Sequence, residues 1–365
     1  MSADLLLTVL QSPKPPSSLT TAQWEVLLAQ ARQSRLSARL AAKFQDKNWL
    51  ADVSYGPRVQ LESALRLADR QQHEVMWEAD CLKRALGGLG VPVVLLKGAA
   101  YLVAQLPAAK GRLFADIDIL VPQTSIATVE SALFAAGWLS DERDAYNQRY
   151  YREWMHEIPP LRHIERNSYI DLHHTITPPT SRFKVNGASL LERIVPLSGH
   201  PGLFVLSPSD MVLHSAVHLF SEGEFKHGVR DLFDLADLLT HFEAQEPLFW
   251  PQLLDRAEML GLQVPLFHTL FHLHRLIGKS APERLQSRIT GFAPNALARH
   301  AMAWCLGHAL RPYHPTCDTR WTALARWLLY VRSHAIRMPL RLVVPHLVRK
   351  AWMRRFPERA PDAPA

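Results

Sequence analysis

Short apolar runs separated by helical patterns, between residues 91 and 174, constrain the fold of this chain most. Residues 91–96 read VPVVLL, a nearly continuous apolar run that is typical of a buried strand, and two further strand-like runs lie at 117–121 and 168–174. Helical periodicity fills residues 99–105 and 126–136 between them. Strands and helices that alternate in this way predict an α/β core.

Helical patterns lie on both sides of this core. Residues 59–86 contain neither Gly nor Pro and predict one long helix or two joined helices. The sequence SPSD at 207–210 is a strong helix start, and helical periodicity continues from there to residue 309. We therefore predict four parts: an N-terminal helical segment at 1–86, the core at 87–205, a C-terminal helical domain at 206–319 and a basic tail at 320–365.

Positive charge is concentrated in that tail. Residues 320–356 contain nine Lys or Arg and no Asp or Glu, and since the whole chain carries +7, the remainder is close to neutral. This distribution argues against a protein that binds nucleic acid over its whole surface. The arginines of 320–356 are interleaved with Trp and Leu, a composition that suits contact with an anionic membrane surface, with RNA or with an acidic partner. A final helical hairpin with a solvated basic face is the alternative.

Composition also limits the compartment. Hydrophobic residues make up 48% of the chain and charged residues 21%, which predicts a sizeable folded core. We find no uncharged apolar run of about 18 residues and no secretory signal. The three cysteines, Cys81, Cys305 and Cys317, lack a C-x-x-C spacing, so we expect no disulfide partner. We expect a cytoplasmic protein that can be peripheral at the membrane through its tail.

Asp116 and Asp118 are the candidate catalytic residues. On a strand, side chains two positions apart leave the same face, so these carboxylates should lie side by side. Two such charges repel unless a cation lies between them, and Mg²⁺ prefers a few carboxylates together with phosphate oxygens. Asp171, in the strand-like run at 168–174, is a candidate third carboxylate. Alternatively, Asp116 caps a strand end and Asp118 lies at a solvated edge.

Positively charged side chains and a glycine flank this pair. Lys97 and Gly98 follow the first apolar run, and Arg112 precedes Asp116. A glycine at a strand end lets backbone amides approach phosphates closely, and the two cations add charge complementary to them. We therefore predict a phosphate-binding role for these three residues.

Two histidine pairs have the i, i+4 spacing that places two side chains on one helix face. They occur in HSAVH at 214–218 and HTLFH at 268–272. Neither contains the Glu after the first His that a zinc hydrolase helix uses. We expect these histidines to pack half-buried between helices or to line an interface.

The segment from residue 95 to 121 resembles the nucleotidyltransferase superfamily related to DNA polymerase β, and specifically a bacterial family of uncharacterised nucleotidyltransferases. The resemblance rests on LKG at 96–98, on Arg112 and on DIDILV at 116–121, and a later DLH pattern matches residues 171–173. The helical region after SPSD and the N-terminal helix are similar as well. The resemblance covers residues 20 to 240.

This resemblance implies an α+β fold, with a mixed nucleotidyltransferase-type sheet between an N-terminal helical segment and a C-terminal helical domain. It implies that Asp116, Asp118 and Asp171 hold Mg²⁺ or Mn²⁺ on the phosphates of ATP or another NTP, and that Asp171 can help to deprotonate an acceptor. The wider superfamily has Gly-Ser where this chain has Lys97-Gly98, so a lysine charge replaces a serine contact.

An acceptor pocket is the second implication. His218, Arg230 and Asp234 match polar positions of the resembled family, and His173 follows Asp171 closely enough to orient a phosphate or an acceptor. The activity expected is transfer of a nucleotidyl group, most simply AMP from ATP, to a hydroxyl, phosphate or amine of a small molecule, peptide or protein. Two alternatives stay open: a non-catalytic nucleotide- or partner-binding protein on the same fold, and an RNA-modifying terminal transferase.

Overall fold

The computed structural model describes residues 4–16, 19–221, 223–339 and 343. The chain begins with four helices, α1 (Leu5–Gln11), α2 (Thr21–Gln33), α3 (Ser37–Asp46) and α4 (Tyr55–Leu86). A capping box begins α2, because the Thr20 hydroxyl accepts from the Gln23 amide and the Gln23 side chain accepts from the Thr20 amide. The helical pattern predicted at 59–86 is confirmed as one continuous helix.

A seven-stranded mixed sheet follows in the described residues. Its strands are β1 (Val93–Leu95), β2 (Ile117–Leu120), β3 (Trp138–Ser140), β4 (Leu161–His163), β5 (Tyr169–His173), β6 (Val195–Pro196) and β7 (Leu203–Val205). They lie in the order β3-β4-β5-β2-β1-β7-β6. The β2–β5 and β1–β7 pairs are parallel and the other four are antiparallel. The mixed sheet expected from the resemblance is confirmed.

Four helices connect these strands, α5 (Lys97–Val103), α6 (Ile126–Ala135), α7 (Ala145–Trp154) and α8 (Gly187–Leu191). The three strands that the sequence predicted, β1, β2 and β5, occupy the centre of the sheet with β7 beside β1. The other strands have only two or three residues each. β1 is equally short and was indicated by the longer apolar run around it, whereas two or three residues by themselves cannot display an alternating pattern.

The C-terminal helices are α9 (Pro208–Ser221), α10 (Gly228–Gln245), α11 (Phe249–Met259), α12 (Gln263–Ile277), α13 (Gln286–Gly291), α14 (Ala296–Ala309) and α15 (Thr322–Arg337). A buried ion pair fixes α11 to α9, since the Arg256 guanidinium donates to both carboxylate oxygens of Asp210 at 2.7 and 3.0 Å. The two histidine pairs lie on α9 and α12. His268 and His272 pack against the ring of Phe220 in the core.

One hydrophobic core runs from α4 through the sheet to α15, and a second core joins α1 to α4 with two residues of α10. The sheet and the C-terminal helices therefore share their core, and the domain boundaries stay a prediction. The helix α15 packs against α14. Apart from residues 320–339 and Val343, the basic tail lies outside the described residues, and its proposed partner contacts stay a prediction too.

None of the helices in the described part of the chain combines the length and the apolar character needed to cross a bilayer. Cys81, Cys305 and Cys317 all lie within the described residues, where they are buried and form no disulfide.

Candidate active site

The pairing of β2 with β5 brings two of the predicted carboxylates together. In this parallel pair Asp118 lies directly opposite Asp171. Asp116 precedes β2 by one residue and shares the face of Asp118, because side chains alternate along a strand. The three aspartates thus meet on one face of the sheet, at its centre.

Asp118 is the innermost of the three. Its side chain is buried, and one oxygen, Oδ1, accepts from Lys97 Nζ at 2.9 Å and lies 3.0 Å from His173 Nε2. Burial alone would raise the pKa of Asp118, but the charge of Lys97 and the hydrogen bond from His173 outweigh it and hold this pKa well below its usual range. Asp118 is therefore ionised at any physiological pH.

The pKa values of Asp116 and Asp171 are shifted in the opposite direction, upward. Burial, followed by the charge of Asp118, raises the pKa of Asp116, although its side chain reaches solvent at the mouth of the site. Burial and the charges of Asp118 and Glu157 raise the pKa of Asp171 to about 7. Protein cations thus compensate the charge of Asp118 more fully than that of the other two acids. Among the described residues, the three aspartates are not a group whose ligand atoms all lie within 4.8 Å of one another, so metal binding by them stays a prediction.

Lys97 reaches Asp118 from a strained backbone. Its φ is +44°, in the left-handed region that a non-glycine residue rarely adopts. The strand end is fixed next to it, since the Leu96 amide donates to the Asp118 carbonyl at 2.9 Å. A strained residue that pairs with a buried carboxylate is typical of a functional site.

Gly98 is needed for a different reason. A Cβ at this position would lie 2.8 Å from Arg112 Nε and 3.1 Å from a ring carbon of Phe114. Residue 98 therefore has to be glycine for the Arg112 side chain to cross the start of α5.

Arg112 is paired with α10. Its guanidinium forms an ion pair with Asp234 and lies over the Tyr101 ring at 5.5 Å. Burial and the charge of Arg230 lower the pKa of Arg112 to about 10, so it stays cationic. Asp234 also faces Arg39 of α3 at 3.5 Å. Asp234 is thus buried between two arginines that join the catalytic core to the helices before and after it.

The other predicted pocket residues lie around the same face. Arg230 donates twice to Asp231 Oδ1, at 2.8 and 2.6 Å, and its charge acts on both Asp116 and Arg112. His218 is on α9, where its ring lies 6.4 Å from that of His214. Arg230 of α10 therefore brings positive charge close to Asp116, and the acceptor pocket stays a prediction.

His156 and Glu157 were missed by the sequence analysis. Residues 156–158 run beside the end of β5, where the His174 amide donates to the His156 carbonyl and the Ile158 amide to the Leu172 carbonyl, both at 3.0 Å. This pairing sets Glu157 Oε2 3.4 Å from His173 Nε2. The segment shows no periodicity, so only knowledge of the strand pairing could have revealed it.

A cleft of 840 Å³ opens beside Asp116. It lies between α4, the segment that leads into β2, and the turn between β4 and β5. Trp77 and Tyr169 line it with side chains that are 56% and 44% exposed. The Arg166–Glu78 ion pair, at 2.6 Å, also lines the cleft.

A mixed sheet with Asp116 and Asp118 at one strand and Asp171 on its parallel neighbour is the arrangement that the resemblance to nucleotidyltransferases implied. Comparison with known families agrees with this class. The chain belongs to the family described as uncharacterised nucleotidyltransferase, whose model matches residues 20–278. The resemblance identified from the sequence is therefore confirmed, and it extends further along the C-terminal helices than expected. No curated protein and no solved structure matches the chain.

Proposed function

We propose that the protein transfers a nucleotidyl group, AMP from ATP, to a hydroxyl, phosphate or amine acceptor, and that it does so with a divalent cation. The observation that carries the proposal is the pair Asp118 and Asp171, which lie opposite each other on parallel strands. The pKa of Asp118 is held well below its usual range, whereas the pKa of Asp171 is raised to about 7. Asp116, Asp118 and Asp171 would hold Mg²⁺ or Mn²⁺, which supplies charge neutralisation on the phosphates.

The reaction needs a base on the acceptor side. An acceptor hydroxyl attacks the α-phosphorus of ATP, a new oxygen–phosphorus bond forms, and the bond to the β-phosphate oxygen breaks so that pyrophosphate leaves. The hydroxyl proton goes to Asp171. Burial and neighbouring acids raise the pKa of Asp171 to about 7 in the metal-free chain, and a bound cation would lower it, so the proposed base role rests on the position of Asp171 opposite Asp118.

Positive charge would stabilise the phosphates in two ways. Lys97, already directed at the site through Asp118, is the side chain that we propose to contact them, next to the backbone of Gly98. Arg112 is committed to Asp234, so we propose that it acts through its charge and by fixing the segment that leads to Asp116. His218 and Arg230 would face the acceptor.

The cleft beside Asp116 is the proposed entrance for the acceptor. Asp116 forms part of its wall, and the cleft is also lined by Ser168 and by Tyr169, the first residue of the strand that carries Asp171. The exposed ring faces of Trp77 and Tyr169 favour an acceptor with a flat or apolar portion.

Calorimetric titration of the four NTPs, with Mg²⁺ and then with EDTA, tests the nucleotide site, and pyrophosphate release tests turnover. Asp116→Asn is the sharper variant, because this side chain is exposed and its loss leaves the fold intact. Asp118→Asn should abolish turnover as well, with circular dichroism to confirm folding. Asp52→Asn, an exposed change on the N-terminal side of α4, is the matched control.

We expect Mg²⁺-dependent binding of one NTP that Asp116→Asn weakens at least about tenfold, the scale of one lost charge-assisted contact. Binding that is equal with Mg²⁺ and EDTA would support the non-catalytic alternative. Binding of RNA that falls steeply with salt would support the terminal transferase. Unchanged turnover in Asp118→Asn would refute the assignment of the site.

A further inference from the structure

A second group of ligating side chains lies behind the three aspartates. The donor atoms of His156, Glu157 and His173 all lie within 4.8 Å of one another. Within this group Glu157 Oε2 is 3.4 Å from His173 Nε2 and 3.9 Å from His156 Nε2. In the part of the chain that the structure describes, this is the group of three with such spacing, and it includes neither Asp116 nor Asp171.

This spacing fits a metal ion of ordinary bond length. Two of the donor separations are 3.4 and 3.9 Å and the third is at most 4.8 Å, so a common centre lies about 2.0 to 2.4 Å from each donor, close to metal–nitrogen and metal–oxygen bonds to imidazole and carboxylate. Both Nδ1 atoms of the two imidazoles are buried without a hydrogen-bond partner among the described residues, so the polar contacts of His173 are made by its Nε2, which faces Glu157 and Asp118.

The two imidazoles and the carboxylate favour a different cation from the one that the aspartate site would bind. Two imidazoles and one carboxylate suit zinc, manganese, cobalt and similar first-row ions, whereas Mg²⁺ prefers oxygen ligands and keeps its waters. His173 connects the two places, since its Nε2 lies 3.0 Å from Asp118 Oδ1. An ion bound here would adjoin the innermost catalytic carboxylate.

We propose that His156, Glu157 and His173 form a second divalent-cation site, selective for a nitrogen-binding transition ion, directly behind Asp118. Binding at this site depends on these three residues alone. Only its effect on Asp118, which would exchange its contact with the His173 ring for an adjacent cation, rests on the proposed transferase function.

Cobalt(II) titration of tag-free, metal-stripped full-length protein tests the site, with the visible d–d absorption and calorimetry as readouts. We expect one Co²⁺ per chain with an absorption band that reports nitrogen ligation, and competition by Zn²⁺ but not by millimolar Mg²⁺. His156→Ala and the isosteric Glu157→Gln should each weaken Co²⁺ binding about tenfold or more. His174→Ala is the matched control, because His174 neighbours His173 but its Nε2 lies 3.2 Å from the Met155 carbonyl.

Two outcomes would overturn the proposal. One is the absence of a Co²⁺ band in folded wild-type protein, and the other is a band that both variants retain. Asp116→Asn separates this inference from the proposed function, because it removes Mg²⁺-dependent nucleotide binding and should leave the Co²⁺ band unchanged. A lost band with intact nucleotide binding in Glu157→Gln would confirm two separate sites.

Discussion

The cluster of acids at the active site should reduce the stability of the protein, and Asp171→Asn should restore it. Burial and neighbouring charges raise the pKa of Asp171 from 3.8 to about 7. Between these values the folded chain binds more protons than the unfolded chain, so stability falls as the pH rises through this window and stays reduced above it. The raised pKa of Asp171 lowers the free energy of unfolding by about 4.3 kcal/mol at pH 8 and by about 1.7 kcal/mol at pH 5.

Urea denaturation in EDTA at pH 5 and pH 8 measures this effect. Asparagine is nearly isosteric and cannot ionise, so we expect Asp171→Asn to gain about 2.6 kcal/mol more stability at pH 8 than at pH 5. The comparison between the two pH values cancels any pH-independent effect of the new amide. Asp52→Asn, on the exposed surface, should show no such difference. An equal change in stability at both pH values for Asp171→Asn would refute the reasoning.

A saturating divalent ion should produce the same gain in the wild type. An ion that binds only the folded chain adds about 2.7 kcal/mol at a hundred times its dissociation constant. This gain should be larger at pH 8 than at pH 5, because protons compete for Asp171. In Asp171→Asn both the gain and its pH dependence should shrink.

Two further predictions concern buried charges and buried histidines. Asp234→Ala leaves the buried Arg112 guanidinium without its partner and should lower the free energy of unfolding by about 3 to 5 kcal/mol in urea, whereas Asp237→Ala, on the same helix and 28% exposed, should lower it by about 1. Equal losses would contradict this account. Burial lowers the pKa of His268 to about 4 and of His272 to about 3, so the unfolded chain binds more protons in acid and stability falls below pH 6.5. Between pH 7.5 and pH 5 the free energy of unfolding of the double variant His268→Leu/His272→Leu should fall by about 4 kcal/mol less than that of the wild type. If the two proteins lose stability in parallel as the pH falls, these histidines are not the cause.

The central strands and the helices could be predicted because their signals are local. The apolar run at 91–96, the Asp-x-Asp segment and the SPSD helix start each carry their information within a few residues. The helix expected after SPSD is observed as Pro208–Ser221. The edge strands, with two or three residues each, are stabilised by their neighbours and carry no periodic pattern of their own.

Some features of the candidate site could likewise be predicted from the sequence, and others could not. Asp116 and Asp118 could be paired from the period of a strand, and the register Asp118 opposite Asp171 then follows only from β2 and β5 being neighbours. The sequence indicated a positive charge at Arg112 but not its partner, which comes from a helix more than a hundred residues later. Family resemblance named Asp234 as a polar position, and the structure shows it buried between two arginines.

By itself, then, the sequence determined which residue types could do chemistry and which segments could form strands or helices, because propensity and side-chain period act over a few residues. The tertiary structure alone decided how their charges are balanced. Lys97 and His173 converge on Asp118, Asp171 is left with acids around it, and Glu157 joins His173 from a segment with no pattern. These contacts depend on strand order and helix packing, and the Coulomb and desolvation energies that set the pKa values depend on distance in space, not along the chain.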